Sequence, residues 1–403
     1  MRTLRLFIAL SILAIITACE RDLYQTCSPD NLEPDPPGQW YLGDFHVHAS
    51  GASNDTDGNS SPQAIQQMAR QRGLHFLVLT DHSNSTGSDV DTTYEDPVLF
   101  NKGSEFPYWD LAGQLSITGE FLMIDGCEIS PRSDGDVLPT GHIGCIPQNL
   151  NTFDQSGAFT DRPMGAVSGA SAIAQSNSRG GFSIVNHAYS IAAWIAYDWT
   201  SYDYHALEVW NGTIGYDFWD KQARRAWQCD LLSGKPTVAV GGSDAHRVAT
   251  PPPGVLLDPA IGYPTTAVFA TDLSWNAIME GLRAGKTAIF EGESRLYIDT
   301  YNAEGCRDEG NAVRIVRLRG RVDSTMDSLQ VLLTRATACT DTRPSHLEAP
   351  QIAEDTLLIQ NIIGGADFDL RIPINGEKGV YSAILVGDSE GHYGALSRAV
   401  VID

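Results

Sequence analysis

Six of the ten histidines in this 403-residue chain fall where predicted strands end: His46, His48, His82, His142, His187 and His246. Carboxylates accompany them at Asp44, Asp81, Glu128, Glu208 and Asp244. Imidazoles two residues apart on a strand, as in His46-Val47-His48, point to the same side and can bind one ion. Ser243-Asp244-Ala245-His246 repeats that spacing with a carboxylate and an imidazole. Each pattern alone is common, and Asp81-His82 by itself reads as a turn. Chance gives no reason for all of them to recur at successive strand ends. Together they point to divalent cations held by neutral imidazoles and shared carboxylates. Such a pair of ions generates a bridging hydroxide near neutral pH, a nucleophile for ester-type bonds.

The elements that must position these side chains are strands alternating with helices. Residues 42–48 read as a strand, Ser61 and Pro62 open a helix with Ala64, Ile65, Met68 and Ala69 on one face, and Gly73 stops it before a strand at 76–80. Apolar runs at 121–124, 182–185, 206–209, 237–240 and 267–269, with helical stretches at 171–176, 216–232 and 274–284, predict parallel strands joined by crossover helices. In a barrel of parallel strands the carboxyl ends converge on one face, where active sites are built. Past residue 290 the pattern becomes alternating, with runs at 313–322, 329–334, 367–372 and 380–386. About seven such runs predict a small antiparallel β-sandwich.

Arg2 and Arg5, an apolar run over 6–16 and then Ile16-Thr17-Ala18-Cys19 read as a signal peptide over residues 1–18. The small residues before Cys19 resemble the lipobox of bacterial lipoproteins. The expectation is an exported, envelope protein held to the membrane by lipid on Cys19, with Glu20 favouring the outer membrane; the alternative is a cleaved secretory peptide without lipid. Residues 19–40, with Pro29, Pro34, Pro36 and Pro37, read as a tether. A net charge of -23 opposes polyanions, so no nucleic-acid partner is expected, and an anionic substrate would need bound cations or a local arginine. An oxidising compartment permits disulfides. Cys306 with Cys339, the two in the last third, is the expected bridge, and Cys127 with Cys145 is a second candidate.

The ordered set Asp44-Phe45-His46-Val47-His48, Thr80-Asp81-His82-Ser83-Asn84, Gly126-Cys127-Glu128, Gly141-His142, Asn186-His187 and Gly242-Ser243-Asp244-Ala245-His246 resembles the PHP (polymerase and histidinol phosphatase) superfamily over residues 41–290. Within it, Glu208-Val209-Trp210-Asn211-Gly212 and the 266–290 segment look most like the carbaryl-hydrolase-like branch, which carries a C-terminal β domain. The resemblance implies an α/β fold, a distorted seven-stranded PHP barrel, followed here by the sandwich over 291–403. It also implies two or three divalent ions of zinc, manganese or iron. Carried over by position, His46, His48, Glu128 and Asp244 would hold the first ion; Glu128 would bridge to a second on His142 and His187; His82 and His246 would hold a third. The histidine that many members place six residues after HxH is Asn54 here, and Asp55 or Asp57 could replace it.

Glu128, Asp81 and His246 are the candidate catalytic residues: Glu128 as the bridge, and Asp81 or His246 as proton donor to the leaving alkoxide. Asp81 alternatively orients a ligand from behind or is a turn carboxylate. Glu208 is either a supporting group or a plain barrel carboxylate. Arg132 and Arg247 could meet an anionic leaving group, although each equally reads as a surface arginine. Trp194, Tyr197, Trp199, Tyr202 and Tyr204 line a pocket or pack as a loop. His75, His205, His346 and His392 receive no role. The leading expectation is a hydrolase of a small phosphoester. The alternatives are a carboxyl ester or carbamate hydrolase on the same site, or an anchored binding module with structural metal only and the sandwich as its working surface.

Overall fold

The computed structural model describes residues 37–53, 56–82, 106–129, 142–156, 169–189, 203–212, 216–248, 260–308, 311–340, 349–374, 376–387 and 393–402. The signal peptide, Cys19 and most of the tether lie outside them, as do Asn54, Asp55, Arg132, His346 and His392.

The first part runs β1 (Gln39–Val47), α1 (Pro62–Gln71), β2 (Phe76–Leu79), α2 (Trp109–Leu115), β3 (Leu122–Asp125), β4 (Cys127–Ile129), β5 (Ile143–Pro147), α3 (Gly169–Ser178), β6 (Gly181–Val185), β7 (Ala206–Asn211), α4 (Phe218–Leu232), β8 (Val238–Gly242), β9 (Thr265–Ala270), α5 (Trp275–Arg283) and β10 (Thr287–Phe290). The second part is all strand: β11 (Arg295–Asp308), β12 (Asn311–Arg321), β13 (Ser328–Thr340), β14 (Gln351–Ile363), β15 (Asp367–Ile374), β16 (Gly379–Val386), β17 (Tyr393–Ser397) and β18 (Val400–Ile402).

Local chemistry accounts for the helix ends. Ser61 caps α1 by accepting from the Ala64 amide, with Pro62 at its first turn where no amide is needed. Gly73, at φ +76°, then turns the chain back. Asp217 and Asp220 form a reciprocal capping box on α4.

The chain is mixed α/β, with many strands and few helices. β1, β2 and β3 are parallel, as are β6, β7 and β8. The pairing departs from a closed seven-stranded ring. Among the described residues it divides into a sheet β4-β5-β6-β7-β8 and a larger one in which β9 joins β1 antiparallel and β10 joins β9 antiparallel. A single bridge, Val47 to Ala245, links β1 to the end of β8. The strict alternation of parallel strands and helices was the wrong expectation at two places. β4-β5-β6 and β1-β9-β10 are antiparallel ladders, and the helices between β5 and β6 and between β9 and β10 do not serve as crossovers to a parallel neighbour.

β17 pairs with β10, so the sheet is continuous from β3 out to β14. β11-β12-β15 forms a separate antiparallel sheet packed over it. Their shared core includes Leu296, Val316, Leu318, Val331 and Leu385 together with Phe290 of β10. α4 also touches this part: Arg224 reaches Thr334, Glu354 and Ser382. Cys339 is bonded to Cys229 on α4 and not to Cys306, because β13 lies on α4 and brings the two Cα atoms within 5.3 Å. Proximity along the chain was therefore a poor guide to pairing. Cys127 and Cys145 face each other across the β4-β5 ladder. No helix among the described residues is long and apolar enough to cross a membrane.

Candidate metal centre

The strand ends bring seven predicted ligands and Glu128 together. Asp44 sets the frame: its Oδ1 accepts from the His46 and Ser243 amides and its Oδ2 from Gly262, tying β1 to the segments after β8 and before β9. The Asp244 amide donates to the His46 carbonyl, and the His48 amide to Ala245. The 243–246 segment is thus laid along β1, with its side chains facing the HxH pair. Among the described residues, the only non-glycine residues with positive φ are His187 at 28° and Asp244 at 56°. Both are predicted ligands, and backbone held in so sparsely populated a region tends to mark functional sites.

Glu128 sits at the centre, fully buried. Its Oε1 lies 3.1 Å from His46 Nε2, 3.2 Å from His142 Nδ1 and 3.3 Å from His187 Nε2. Its Oε2 lies 3.1 Å from His82 Nδ1 and 3.7 Å from His48 Nε2. Asp244 Oδ1 is 3.2 Å from both His46 Nε2 and His48 Nε2. His246 stacks on His48 with ring centroids 4.0 Å apart. Four overlapping groups could each hold an ion: His46-His48-Glu128, His82-Glu128-His142, His46-His187-Asp244 and His48-His82-His246. Metal–ligand bonds of about 2.1 Å require ligand atoms about 3.0 to 3.4 Å apart around octahedral or tetrahedral ions. The observed spacings fall largely in that window. His46 Nε2 makes no hydrogen bond although two carboxylate oxygens lie beside it, as expected of an atom oriented toward an ion. The donor set fits divalent metal.

The imidazoles are oriented from behind. Glu208 Oε1 lies 3.0 Å from His46 Nδ1, while its Oε2 accepts from the His187 amide at 2.6 Å and from Asn211 Nδ2 at 3.0 Å. A carboxylate can only accept, so His46 Nδ1 carries a proton, and Nε2 is the nitrogen whose lone pair a metal would take. Ser53 does the same for His48: its hydroxyl donates to Asp81 Oδ1 at 2.8 Å and so must accept from His48 Nδ1 at 3.1 Å. His246 Nδ1 donates to the Asp244 carbonyl at 2.8 Å, which again leaves Nε2 with the lone pair. Asn186 donates to Glu128 Oε1 at 2.8 Å.

Electrostatics follow from this crowding. Burial disfavours the His46 cation, but Asp244, Glu128 and Glu208 outweigh it and hold His46 well above the usual imidazole range. Burial likewise opposes the Glu128 anion, yet the charges of His142 and His46 and its hydrogen bonds hold it well below the usual carboxylate range. Burial pushes His48 down to about 3 and His142 down to about 4. The buried carboxylates are thus balanced by protons on a few imidazoles, a charge that divalent ions would replace. Asp244 and His246, with side chains 24% and 23% exposed, form the open edge.

The remaining predicted residues sort by geometry. Asp81 is fully buried and reaches the imidazoles through Ser53; burial pushes its carboxyl up to about 7. Glu208 is a supporting group and no idle barrel carboxylate. Asp57 is exposed and accepts from Asn59 and Ser60, so it does not stand in for the missing histidine. Arg247 is exposed. Tyr204 is buried and donates to Asp230, which removes it from the pocket wall; the other four aromatic residues lie outside the described residues. His75 and His205 accept from the amides of Leu42 and Ser183. Sequence reasoning missed Ser53, Asn186 and Asn211. Asn186 precedes a ligand directly and Asn211 ends the Glu208 strand, whereas Ser53 carries no signal beyond lying in the turn after His48.

No family profile and no curated protein matches the chain. Solved structures do. A two-domain protein containing a predicted PHP-like metal-dependent phosphoesterase from Bacteroides vulgatus is 18% identical, with a TM-score of 0.44 over 92% of this chain and 98% of that one. Endonuclease Q in complex with a 27-mer duplex substrate bearing an abasic lesion at the active site is 14% identical, with a TM-score of 0.39 over 61% and 57%. Endonuclease Q from Pyrococcus furiosus is 14% identical, with a TM-score of 0.38 over 66% and 63%. The expectation of no nucleic-acid partner is withdrawn: endonuclease Q holds DNA at its active site. The error was to read a local property from net charge, since bound cations can reverse the sign at a site whatever the distant surface carries.

Proposed function

We propose that this chain is a metal-dependent hydrolase of phosphoesters, a PHP-type enzyme whose Glu128 is shared between ions. The observation that carries this reading is the placement of both Glu128 oxygens among five histidines. His46, His48 and Asp244 would complete one ion's shell, and His142 and His187 that of a second; His82 and His246 are the candidates for a third. Divalent ions bound there lower the pKa of water and polarise the P=O bond of a substrate.

The chain's own residues do the rest. Glu208 and Ser53 hold a proton on the Nδ1 of His46 and His48, so that Nε2 is the nitrogen each would offer to a metal. Asn186 fixes the Glu128 carboxylate. His246, at the open edge, carries its neutral-form proton on Nδ1, so it would hand a proton to a leaving alkoxide only as the imidazolium and only when it is not holding a third ion. Asp81 supports this arrangement from behind through Ser53. All these residues lie within 41–290, which we assign as the catalytic domain ahead of a sandwich over 291–403. We further propose that Cys19 carries the lipid of an exported, envelope-anchored form; Cys19→Ser should move the protein from the membrane to the soluble exported fraction.

The test is metal analysis of protein purified without a histidine tag, followed by a panel of phosphomonoesters, phosphodiesters including DNA, carboxyl esters and carbamates. The last two enter because Glu208 to Gly212 resembles the carbaryl-hydrolase-like branch. Bound divalent metal with chelator-sensitive phosphoester turnover is the expected result. Metal without turnover of any ester would leave a structural centre and refute the enzyme reading.

A further inference from the structure

β14 is an outer strand of the large sheet, paired on one side with β13 and, among the described residues, with no strand on the other. Such an edge is a template for another chain, and proteins blunt it with charge or proline. The first half of β14 follows that rule: Glu354 is gripped by Arg224 and Asp355 by Arg335. β15, an edge of the smaller sandwich sheet, follows it too, with Asp367, Asp369, Arg371 and Pro373. The second half of β14 does not. Thr356-Leu357-Leu358-Ile359-Gln360-Asn361-Ile362-Ile363 holds no charge, no proline and no glycine, in a chain whose net charge is -23.

Register fixes which groups this edge offers. Ile362 pairs with Leu329 and Leu358 with Leu333, and all four turn toward the sandwich core. Period two then puts Ile359, Asn361 and Ile363 on the opposite face. There Ile359 and Ile363 are 63% and 73% exposed, the two most exposed large apolar side chains among the described residues. The backbone alternates as well. The Gly364 amide donates to the Asp327 carbonyl across the ladder, so Ile362 and Gln360 also turn their amides and carbonyls to β13. Those of Ile359, Asn361 and Ile363 point outward, where the Ile363 carbonyl accepts from Ala366 and the Asn361 carbonyl from the side chain of Gln360.

We propose that this edge pairs antiparallel with the same edge of a second copy of the chain, about a two-fold axis at Asn361. That register is self-complementary. Each exposed Ile359 lies against the partner's Ile363, and Asn361 lies against its own image, where two side-chain amides supply a donor and an acceptor to each other. The outward backbone groups complete the ladder. Two copies this acidic repel one another, so the contact must fall where no charge meets charge, and this stretch meets that condition. A break in register at Leu357 ends it before the acidic half of the strand. One strand pair is a small contact, so the dimer is weak, with a Kd of about 1 to 100 μM.

The experiment is sedimentation velocity on the full chain with its metal, from about 1 to about 300 μM, with amide hydrogen exchange at both ends of that range. Wild type should pass from monomer to dimer and stop there, and the amides of Ile359, Asn361 and Ile363 should exchange more slowly in the concentrated sample. Ile359→Lys sets a charge on the edge, and Asn361→Pro removes an outward amide without touching the bonds to β13. Each should weaken dimerisation about tenfold or more, with metal content and turnover of a small phosphoester unchanged. A wild type monomeric throughout, assemblies that grow past two copies, edge amides left unprotected in the dimer, or a folded Ile359→Lys variant that dimerises like wild type would each overturn the proposal.

Discussion

Replacing Glu208 by glutamine keeps the non-hydrogen atom count of the side chain but removes its charge and one acceptor. Both native oxygens receive donors: Oε1 from His46 Nδ1 at 3.0 Å, and Oε2 from the His187 amide at 2.6 Å and from Asn211. An amide has only one oxygen. In one orientation its NH2 faces His46 Nδ1 and drives the imidazole proton onto Nε2, the ligating atom. In the other it faces the His187 backbone amide, donor against donor, at a residue already held at positive φ. Neither preserves the site. Loss of such a supporting partner typically costs about 10- to 100-fold in metal affinity, or about 1.4 to 2.8 kcal/mol. The assay is competitive zinc titration of folded wild type and Glu208→Gln, with thermal melting of the metal-free forms alongside. Affinity within about twofold of wild type, in a variant that melts normally, would refute the claim that Glu208 sets the His46 tautomer.

Gly242→Ala should cost about 1 to 3 kcal/mol of stability and weaken metal binding together, because an added Cβ would collide with His46 Cβ and Glu208 Oε1; chemical denaturation with and without metal checks both. Metal affinity should fall as pH falls. His46 and His187 hold their protons above the usual imidazole range, His46 chiefly because Asp244, Glu128 and Glu208 outweigh burial and His187 because of its hydrogen bond to Glu128, and those protons must leave before metal binds. Titrations at about pH 6 and about pH 8 should show tighter binding at the higher value, and a flat profile would contradict the reading. Glu291 gives a stability test. Burial pushes its carboxyl from 4.5 up to about 7, so its contribution is fully present below 4.5 and is lost as pH rises through about 7. Glu291→Gln should therefore gain on wild type at alkaline pH, by at most about 3 kcal/mol, read as the difference in melting between about pH 5 and about pH 8.

The ligands were legible because period two on a strand puts His46 beside His48 and Asp244 beside His246, and such local geometry survives whatever the sheet does around it. The strand positions followed from apolar runs for the same reason. What the sequence could not show was strand direction. β4, at three residues, has too few side chains to display a period, and the antiparallel join of β9 depends on β1, a partner distant in sequence. The same limit hid the Cys229–Cys339 bond, which spans 110 residues. Ser53 was invisible because a serine in a turn is ordinary until His48 and Asp81 are seen on either side of it.

The central claim is that one carboxylate serves more than one ion, and Glu128→Gln tests it most directly. Glutamine keeps the size of Glu128 but removes the negative charge that both sets of histidines surround. Metal per chain should be measured by elemental analysis on folded wild type and variant, beside turnover of the best ester from the panel. A shared carboxylate predicts loss of metal from both positions together and loss of turnover. Retention of the wild-type metal content with near-normal turnover would contradict the shared carboxylate, and with it the two-ion chemistry proposed for this site.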